Sequence, residues 1–362
     1  MQRLEGLGAM GLFLRPVAAG FGWGVALRRI AYRRGWFKVR RLATPVVSLG
    51  NLTVGGSGKT PLLAFTARKL AARGWKPGIL TRGYGRQSQS PCVVLEPAPD
   101  RQPDPRESGD EPALLAQKLP NVPIVVSADR YKGGRLAEER FPVDVLLLDD
   151  GFQHLALARD VDIVLMDATE DWSAQSLLPA GRLREPYSAL ERAHLIVLTR
   201  LELGAASGLE DFVRGINPRA KVFHCSTRLS GLREISNGEN IPLESILPRP
   251  VAAFCGVGNP EAFFADLTKW GFRQVDQMRF RDHHVYDRKD VEGLARRAHE
   301  KHARALITTE KDAMNLPSRL ESQIPILSCV IEAEIEEAEE FVEAIVSRLG
   351  PRRSGASHTR DS

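Results

Sequence analysis

The sequence has few cysteines, a long stretch without acidic residues, and no uninterrupted apolar span. Its four cysteines, Cys92, Cys225, Cys255 and Cys329, are scattered through 362 residues. No two of them have metal-ligand spacing and nothing suggests a disulfide framework, so a reducing compartment is the simplest expectation. No acidic residue occurs between Glu5 and Glu96, whereas sixteen Lys and Arg fall between Arg3 and Arg86. Such an asymmetry points the N-terminal part at an anionic partner, either a membrane surface or a nucleic acid. No nucleic-acid recognition motif accompanies the charge, so nucleic acid is not expected as a partner. A bilayer span needs about 20 predominantly apolar residues, and Arg15 and Pro16 interrupt the only candidate run. A signal peptide fits poorly, because the basic cluster follows the apolar stretch and no small-residue cleavage site comes after it. There is no internal repeat. Apolar residues make up 43% of the chain, which suits one or two globular domains with a large core.

Residues 1–42 combine both features. Leu12, Phe13, Leu14, Phe21, Trp23 and Leu27 supply apolar bulk, and Arg28, Arg29, Arg33, Arg34, Lys38, Arg40 and Arg41 follow them. One reading is an interfacial helix whose apolar residues enter the lipid boundary while its cations meet anionic headgroups. The other is an ordinary helix packed on the protein with a solvated basic end. Composition alone leaves both open.

Beyond residue 42, short apolar runs alternate with helical patterns. TPVVSLG, KPGILTR, VPIVVS, VDVLLLDD, VDIVLMD, HLIVLTR, KVFHC, VAAFCGV, ALITTE and IPILSCV read as strands, several apolar throughout as in parallel strands covered on both faces. Strands separated by helices predict an α/β, doubly wound, mainly parallel sheet. The turn-rich, acidic stretch near residues 228–250 predicts a boundary. The expected organisation is a P-loop core over 43–228, a smaller α/β lobe over 229–350 and a disordered tail over 351–362. EAEIEEAEEFVEAIVSRLG reads as an amphipathic acidic helix with Ile335, Phe341, Val342, Ile345 and Leu349 on its apolar side.

Two motifs speak for phosphate chemistry. NLTVGGSGKTP, residues 51–61, follows a strand and opens a helix, as a phosphate-binding loop must. Its residues Thr53, Val54, Gly55, Gly56, Ser57, Gly58, Lys59 and Thr60 would cradle phosphates with backbone N–H groups. Lys59 would add a mobile cation, and the Thr60 hydroxyl is placed for Mg²⁺. The loop lacks the usual first glycine; Thr53 stands there and serves provided that its φ is negative. VDVLLLDDGFQH places Asp149 and Asp150 at a strand tip, the position of carboxylates that hold Mg²⁺, with Gln153 and His154 just beyond. Asp149 and Asp150 capping a turn is the bland alternative.

Other candidates are weaker taken singly. SGDEPALLAQKL starts a helix in which Ser108 or Asp110 serves equally well as an N-cap. FRDHHVY carries two adjacent histidines, structural or acid/base. TRGYGR and PAGRLREP offer loop arginines, Arg82 and Arg184, suited to phosphate. TTEKDAMN looks like the guanine-reading N-K-x-D element but has Lys311 and Asp312 adjacent, which lowers a guanine-nucleotide reading.

Together GNLTVGGSGKTP, TRGYGR, GDEP, DDGFQH, PAGRLREP, DHH and TEKDA, in this order over nearly the whole chain, resemble the tetraacyldisaccharide 4′-kinase family of lipid A biosynthesis. That family's P-loop begins with Thr. The resemblance implies ATP-dependent phosphorylation of the 4′-hydroxyl of a tetraacylated glucosamine disaccharide 1-phosphate, giving lipid IVA. It implies a peripheral enzyme on the cytoplasmic face of the bacterial inner membrane, facing an anionic membrane surface with its N-terminal helix. It also implies a catalytic pair, Asp110 from GDEP and His283 from DHH. Asp110 would accept the hydroxyl proton and His283 would orient it or tune its pKa. Lys59 and Mg²⁺, held by Thr60, Asp149, Asp150 and Gln153, would offset charge on the transferring phosphate. Arg82, His154, Arg184 and Glu185 would line the site. A membrane-associated P-loop switch ATPase is the rival reading; strict dependence of ATP turnover on a glycolipid acceptor separates the two.

Overall fold

Runs such as VVSLGN and VDIVLMD are apolar on both sides, and both are buried along their whole length. Such strands need covering on two faces, which α/β layering supplies. In the computed structural model, residues 5–56, 58–98, 103–172, 175–203, 208–317 and 322–351 are described.

Helix α1 (Glu5–Arg33) leads into β1 (Val46–Asn51), the P-loop and α2 (Lys59–Ala72). Then come β2 (Pro77–Thr81), β3 (Cys92–Leu95), α3 (Pro105–Ser108), α4 (Asp110–Lys118), β4 (Ile124–Ser127), α5 (Arg130–Arg140), β5 (Val145–Asp149), β6 (Val161–Asp167), β7 (Leu195–Thr199), α6 (Leu209–Ile216) and β8 (Lys221–Glu234). The rest of the chain forms β9 (Asn240–Ile241), β10 (Pro250–Cys255), α7 (Pro260–Lys269), β11 (Arg273–Arg279), α8 (Arg288–Glu300), β12 (Ala305–Thr309), α9 (Glu310–Met314), β13 (Ile326–Ile335) and α10 (Ala338–Leu349).

Among the described residues these strands make one sheet, ordered β11-β10-β12-β13-β8-β7-β6-β1-β5-β2-β4-β3, with β9 paired to β8. Neighbours are parallel except β3 with β4, β8 with β9, and β8 with β13. The expectation of a mainly parallel α/β sheet therefore holds. The long strand β8 joins the two parallel sets: Lys221–Cys225 pairs with β7 in parallel, and Cys225–Glu234 pairs with β13 antiparallel. Position 228, where the sequence suggested a boundary, is mid-strand, with Arg228 opposite Glu332. The turn-rich signal belongs to the segment after Glu234. Ile335 ends β13, so the acidic helix begins later than its pattern suggested, at Ala338, and buries Phe341, Val342 and Ile345.

Strand β1 lies between β5 and β6. The chain leaves β1 for β2, beyond β5, and leaves β5 for β6, on the other side of β1; such a switch makes the crevice where α/β sheets bind ligands. Helix α1 runs through Pro16 and leaves Val17, Trp23 and Leu27 more than half exposed. Among the described residues no helix is long and apolar enough to cross a membrane. Of the tail, residues 352–362 lie outside the described part.

Candidate active site

Gly58, at φ 82°, caps α2 in the left-handed region that L side chains avoid, so the chain turns from the loop straight into the helix. Thr53 is not among the non-glycine residues with positive φ, so this position does not require glycine. It lies beneath the loop, buried, with its hydroxyl donating to Glu170 at 3.3 Å. Lys59 Nζ donates to Asn51 Oδ1 at 3.0 Å and lies 3.6 Å from Asp150 Oδ1. Ser57 lies outside the described residues.

The loop opens on a cavity of about 600 Å³. Val54, Gly55, Gly56, Gly58, Lys59 and Thr60 line one side, with Asp149, Asp150, Arg82 and Arg184. Across from them stand Asp282, His283, Glu310 and Lys311, from the chain after β8. The two sides touch: a Cβ added at Gly258 would lie 2.7 Å from Gly55 Cα.

The two strand-tip aspartates are treated differently. Asp149 is buried and accepts from the Thr81 hydroxyl at 3.0 Å. Burial first, then the charges of Glu111 and Asp150, push its carboxyl up to about 7, with Lys59 opposing. For Asp150 burial also pushes upward, but Lys59 and Arg184 outweigh it and hold the carboxyl at about 2. Arg184 forks onto both Asp150 oxygens at 2.7 and 3.0 Å and also donates to Asn51 Oδ1 at 2.6 Å and Thr53 O at 3.1 Å. It thereby fastens the P-loop to the β5 tip.

Asp110 and His283 meet, as the pairing required. His283 Nδ1 lies 2.9 Å from Asp110 Oδ2, and Asn315 donates to the same oxygen at 3.2 Å. Burial would raise the Asp110 carboxyl, but the His283 bond and the Lys311 charge bring it below its usual value. Asp110 is therefore an ionised acceptor, and His283 Nδ1 carries the proton. The bond to Asp110 raises the imidazole above its usual value, against burial and Lys311. Asp110 is not the cap of α4; Gly109 holds that position, and Asp110 Oδ1 accepts from the Glu111 N–H at 2.8 Å. His283 lines the cavity, whereas Asp110 is buried behind it. His283 (φ 58°), Asp150 (φ 49°) and Arg200 (φ 56°) all line this cavity in left-handed backbone. Such strain concentrates at functional sites.

Three candidates lie elsewhere. Gln153 donates from Nε2 to Asn51 O at 2.9 Å and faces a second cavity of about 460 Å³, between α1 and the PAGRLREP loop. Glu185 also lines that cavity, gripped by Arg192 at 2.8 and 3.0 Å. Burial, with Arg130, Arg159 and Arg28 nearby, pushes His154 down to about 4, and it lines neither cavity. Arg184 lines both. Sequence reasoning gave no role to Asn51, Glu111, Arg200 or Lys311. Asn51 and Glu111 sit inside motifs it quoted, and Lys311 lies in TEKDA, which counted toward the resemblance and against a guanine pattern without giving the lysine a role.

The fold and cavity have the form of a P-loop phosphotransfer protein: a glycine-rich strand–helix loop, paired strand-tip carboxylates and a carboxylate–imidazole pair facing them. The family model for tetraacyldisaccharide-1-P 4′-kinase matches residues 10–350. The chain belongs to that family. The tetraacyldisaccharide 4′-kinase of Geobacter sulfurreducens is 39% identical over 323 residues, covering 89% of each chain. That of Koribacter versatilis is 38% identical, covering 94% of this chain and all of the relative. The crystal structure of apo-form LpxK from Aquifex aeolicus in complex with ATP superposes with a TM-score of 0.73 at 30% identity, over 94% of this chain and 99% of that one.

Proposed function

We infer that this chain works as a tetraacyldisaccharide 4′-kinase, moving the γ-phosphoryl group of ATP to the 4′-hydroxyl of a lipid A disaccharide 1-phosphate. The observation that carries the mechanism is His283 facing the P-loop residues across one cavity, with Asp110 behind it at 2.9 Å. The roles follow from exposure. His283 takes the hydroxyl proton at Nε2, and Asp110 holds the Nδ1 proton and stabilises the imidazolium that forms. This reverses the order that the resemblance implied. The P-loop N–H groups, the start of α2 and Lys59 stabilise charge on the transferring group.

Mg²⁺ fits the donor set at one point. Asp149 is a buried carboxyl group with no cation bonded to it among the described residues, and Thr60 lines the same cavity. Asp150 is already bound by Arg184 and Lys59. Asp149, with the Thr60 hydroxyl, would hold the ion, which when bound neutralises phosphate charge.

The second cavity suits the acceptor. Phe21 and Val25 of α1 form an apolar wall, Arg28 and Arg29 supply cations, and Arg184 connects it to the first cavity. Exposed Trp23, Leu27, Trp36 and Phe37 beside exposed Arg33, Arg34 and Lys38 support α1 lying on an anionic membrane. ATP is cytoplasmic, so the cytoplasmic face of the inner membrane is the proposed location. On this reading residues 229–350 act as the lobe that brings His283 and Lys311 to the nucleotide. Transfer of labelled γ-phosphate to lipid A disaccharide 1-phosphate tests the reading. Equal ATP turnover without the glycolipid would favour a switch ATPase.

A further inference from the structure

His283 Nε2, the atom that must receive the acceptor's proton, is covered. Lys311 Nζ lies 3.2 Å from it. Lys311 is the second residue of α9, and its own surroundings are anionic: Glu111 Oε1 and Asp282 Oδ1 each lie 3.4 Å from Nζ. Burial would lower the ammonium, but Glu111, Asp110 and Asp282 outweigh it and keep Lys311 charged. An ammonium only donates, so its contact with Nε2 requires a lone pair there. With Nδ1–H given to Asp110, the ring is neutral and in the tautomer a base needs.

We propose that Lys311 is the positioning residue of the base: it covers Nε2 of neutral His283 until the acceptor hydroxyl takes its place. The inference rests on the kinase reading above. When the hydroxyl arrives, Lys311 yields the Nε2 lone pair. The hydroxyl proton passes to Nε2, the acceptor oxygen–phosphorus bond forms and the γ-phosphorus–bridging oxygen bond breaks, releasing ADP. Covering Nε2 also keeps water from being activated there while ATP is bound, which protects ATP from hydrolysis before the glycolipid arrives.

The groups facing His283 are Asp110 from α4, Lys311 from α9, Asp282 from its own loop and the Tyr84 ring, 5.2 Å away between centroids. Asp110 and Asp282 favour the protonated ring, and Lys311 disfavours it. Removing the lysine charge therefore raises the pH at which the base becomes active.

The test uses the full-length protein with Lys311→Met and Lys311→Arg. Three quantities are measured: the pH profile of kcat/KM for the glycolipid, ATP hydrolysis without acceptor, and melting temperature. In Lys311→Met the acidic limb moves to higher pH, about tenfold in rate at low pH for each unit of displacement, and hydrolysis rises relative to transfer. Lys311→Arg keeps the limb near its wild-type position. A folded Lys311→Met enzyme whose limb and hydrolysis-to-transfer ratio both match wild type overturns the proposal. If Lys311→Met does not fold, Lys311→Gln answers the same question with the same outcomes. A wild-type enzyme that transfers nothing to the glycolipid removes the kinase reading itself, whereas an active wild type with an unmoved limb removes only Lys311.

Discussion

Asp110 and His283 are 173 positions apart in the chain, on opposite sides of the long β8–β13 pairing, and their side chains meet at 2.9 Å. Asp110→Asn separates a catalytic role from a structural one. Asn keeps the size of Asp110 and an oxygen to accept from the Glu111 N–H, and the side chain does not cap α4, so the melting temperature should stay close to wild type. Losing the group that holds and charges the base should cost roughly 10²–10⁴-fold in kcat. An Asp110→Asn enzyme with most of its kcat would return Asp110 to a structural role.

The pair also fixes the sign of the pH dependence. His283 titrates above its usual value because Asp110 accepts its proton, against burial and Lys311. Protonated imidazole cannot serve as the base, so the rate falls as pH drops through that raised value. The acidic limb should therefore lie above an ordinary histidine's, near 6.5. In Asp110→Asn the largest raising influence is gone and the limb moves to lower pH, opposite to Lys311→Met. Rate–pH profiles of the two variants that shift in the same direction would contradict the arrangement of charges around the ring.

Lys59→Ala addresses the nucleotide side. Lys59 touches Asn51 and Asp150 and opens α2, where Ala is an excellent helix former. The fold should persist, with kcat down by orders of magnitude. Transfer at the wild-type rate would rule out Lys59 as the cation on the transferring phosphate.

The membrane expectation is tested at positions that line neither cavity. Arg33, Arg34 and Lys38 are exposed at the end of α1 and just after it. Each cation near an anionic surface is worth about 1 kcal/mol, so Arg33→Glu, Arg34→Glu and Lys38→Glu together should cut sedimentation with anionic vesicles by well over tenfold. High salt should weaken the wild type similarly. Equal binding to neutral and anionic vesicles would leave only the apolar residues of α1 to explain attachment.

Much of this was legible because the signals are local. A strand, glycines and GKT identify the loop around Lys59, and a buried run ending in two aspartates identifies the β5 tip. All ten predicted strands are present. Strands β3 and β11 lacked a clear signal: CVVL is short, and RQVDQMR is a half-exposed edge strand with polar residues. What the sequence hid was pairing over distance. Nothing local shows that Lys311 covers His283, that Arg184 grips Asp150 and Asn51, or that Gln153 faces a different cavity. The meeting of Asp110 with His283 was hidden in the same way; it comes from β8 pairing with β7 at one end and β13 at the other. That arrangement brings the later half of the chain over the P-loop.

Arg184 stands where the two cavities meet, and its loss should show which of them depends on it more. Its guanidinium binds both oxygens of Asp150, the Asn51 side chain and the Thr53 carbonyl. Arg184→Lys keeps the charge but not the fork, because one ammonium cannot span those acceptors. Hydrogen bonds to charged groups contribute about 1.5–3 kcal/mol each, so the melting temperature should fall. The P-loop would lose its tie to the β5 tip, and kcat/KM for ATP should drop at least tenfold, the effect of about 1.4 kcal/mol. KM for the glycolipid should change less, since Phe21, Val25, Arg28 and Arg29 still form that cavity. The reverse result, an unchanged ATP dependence with a weakened glycolipid KM, would make Arg184 an acceptor-binding residue and leave the Lys59–Asp150 contact to tie the P-loop to the β5 tip.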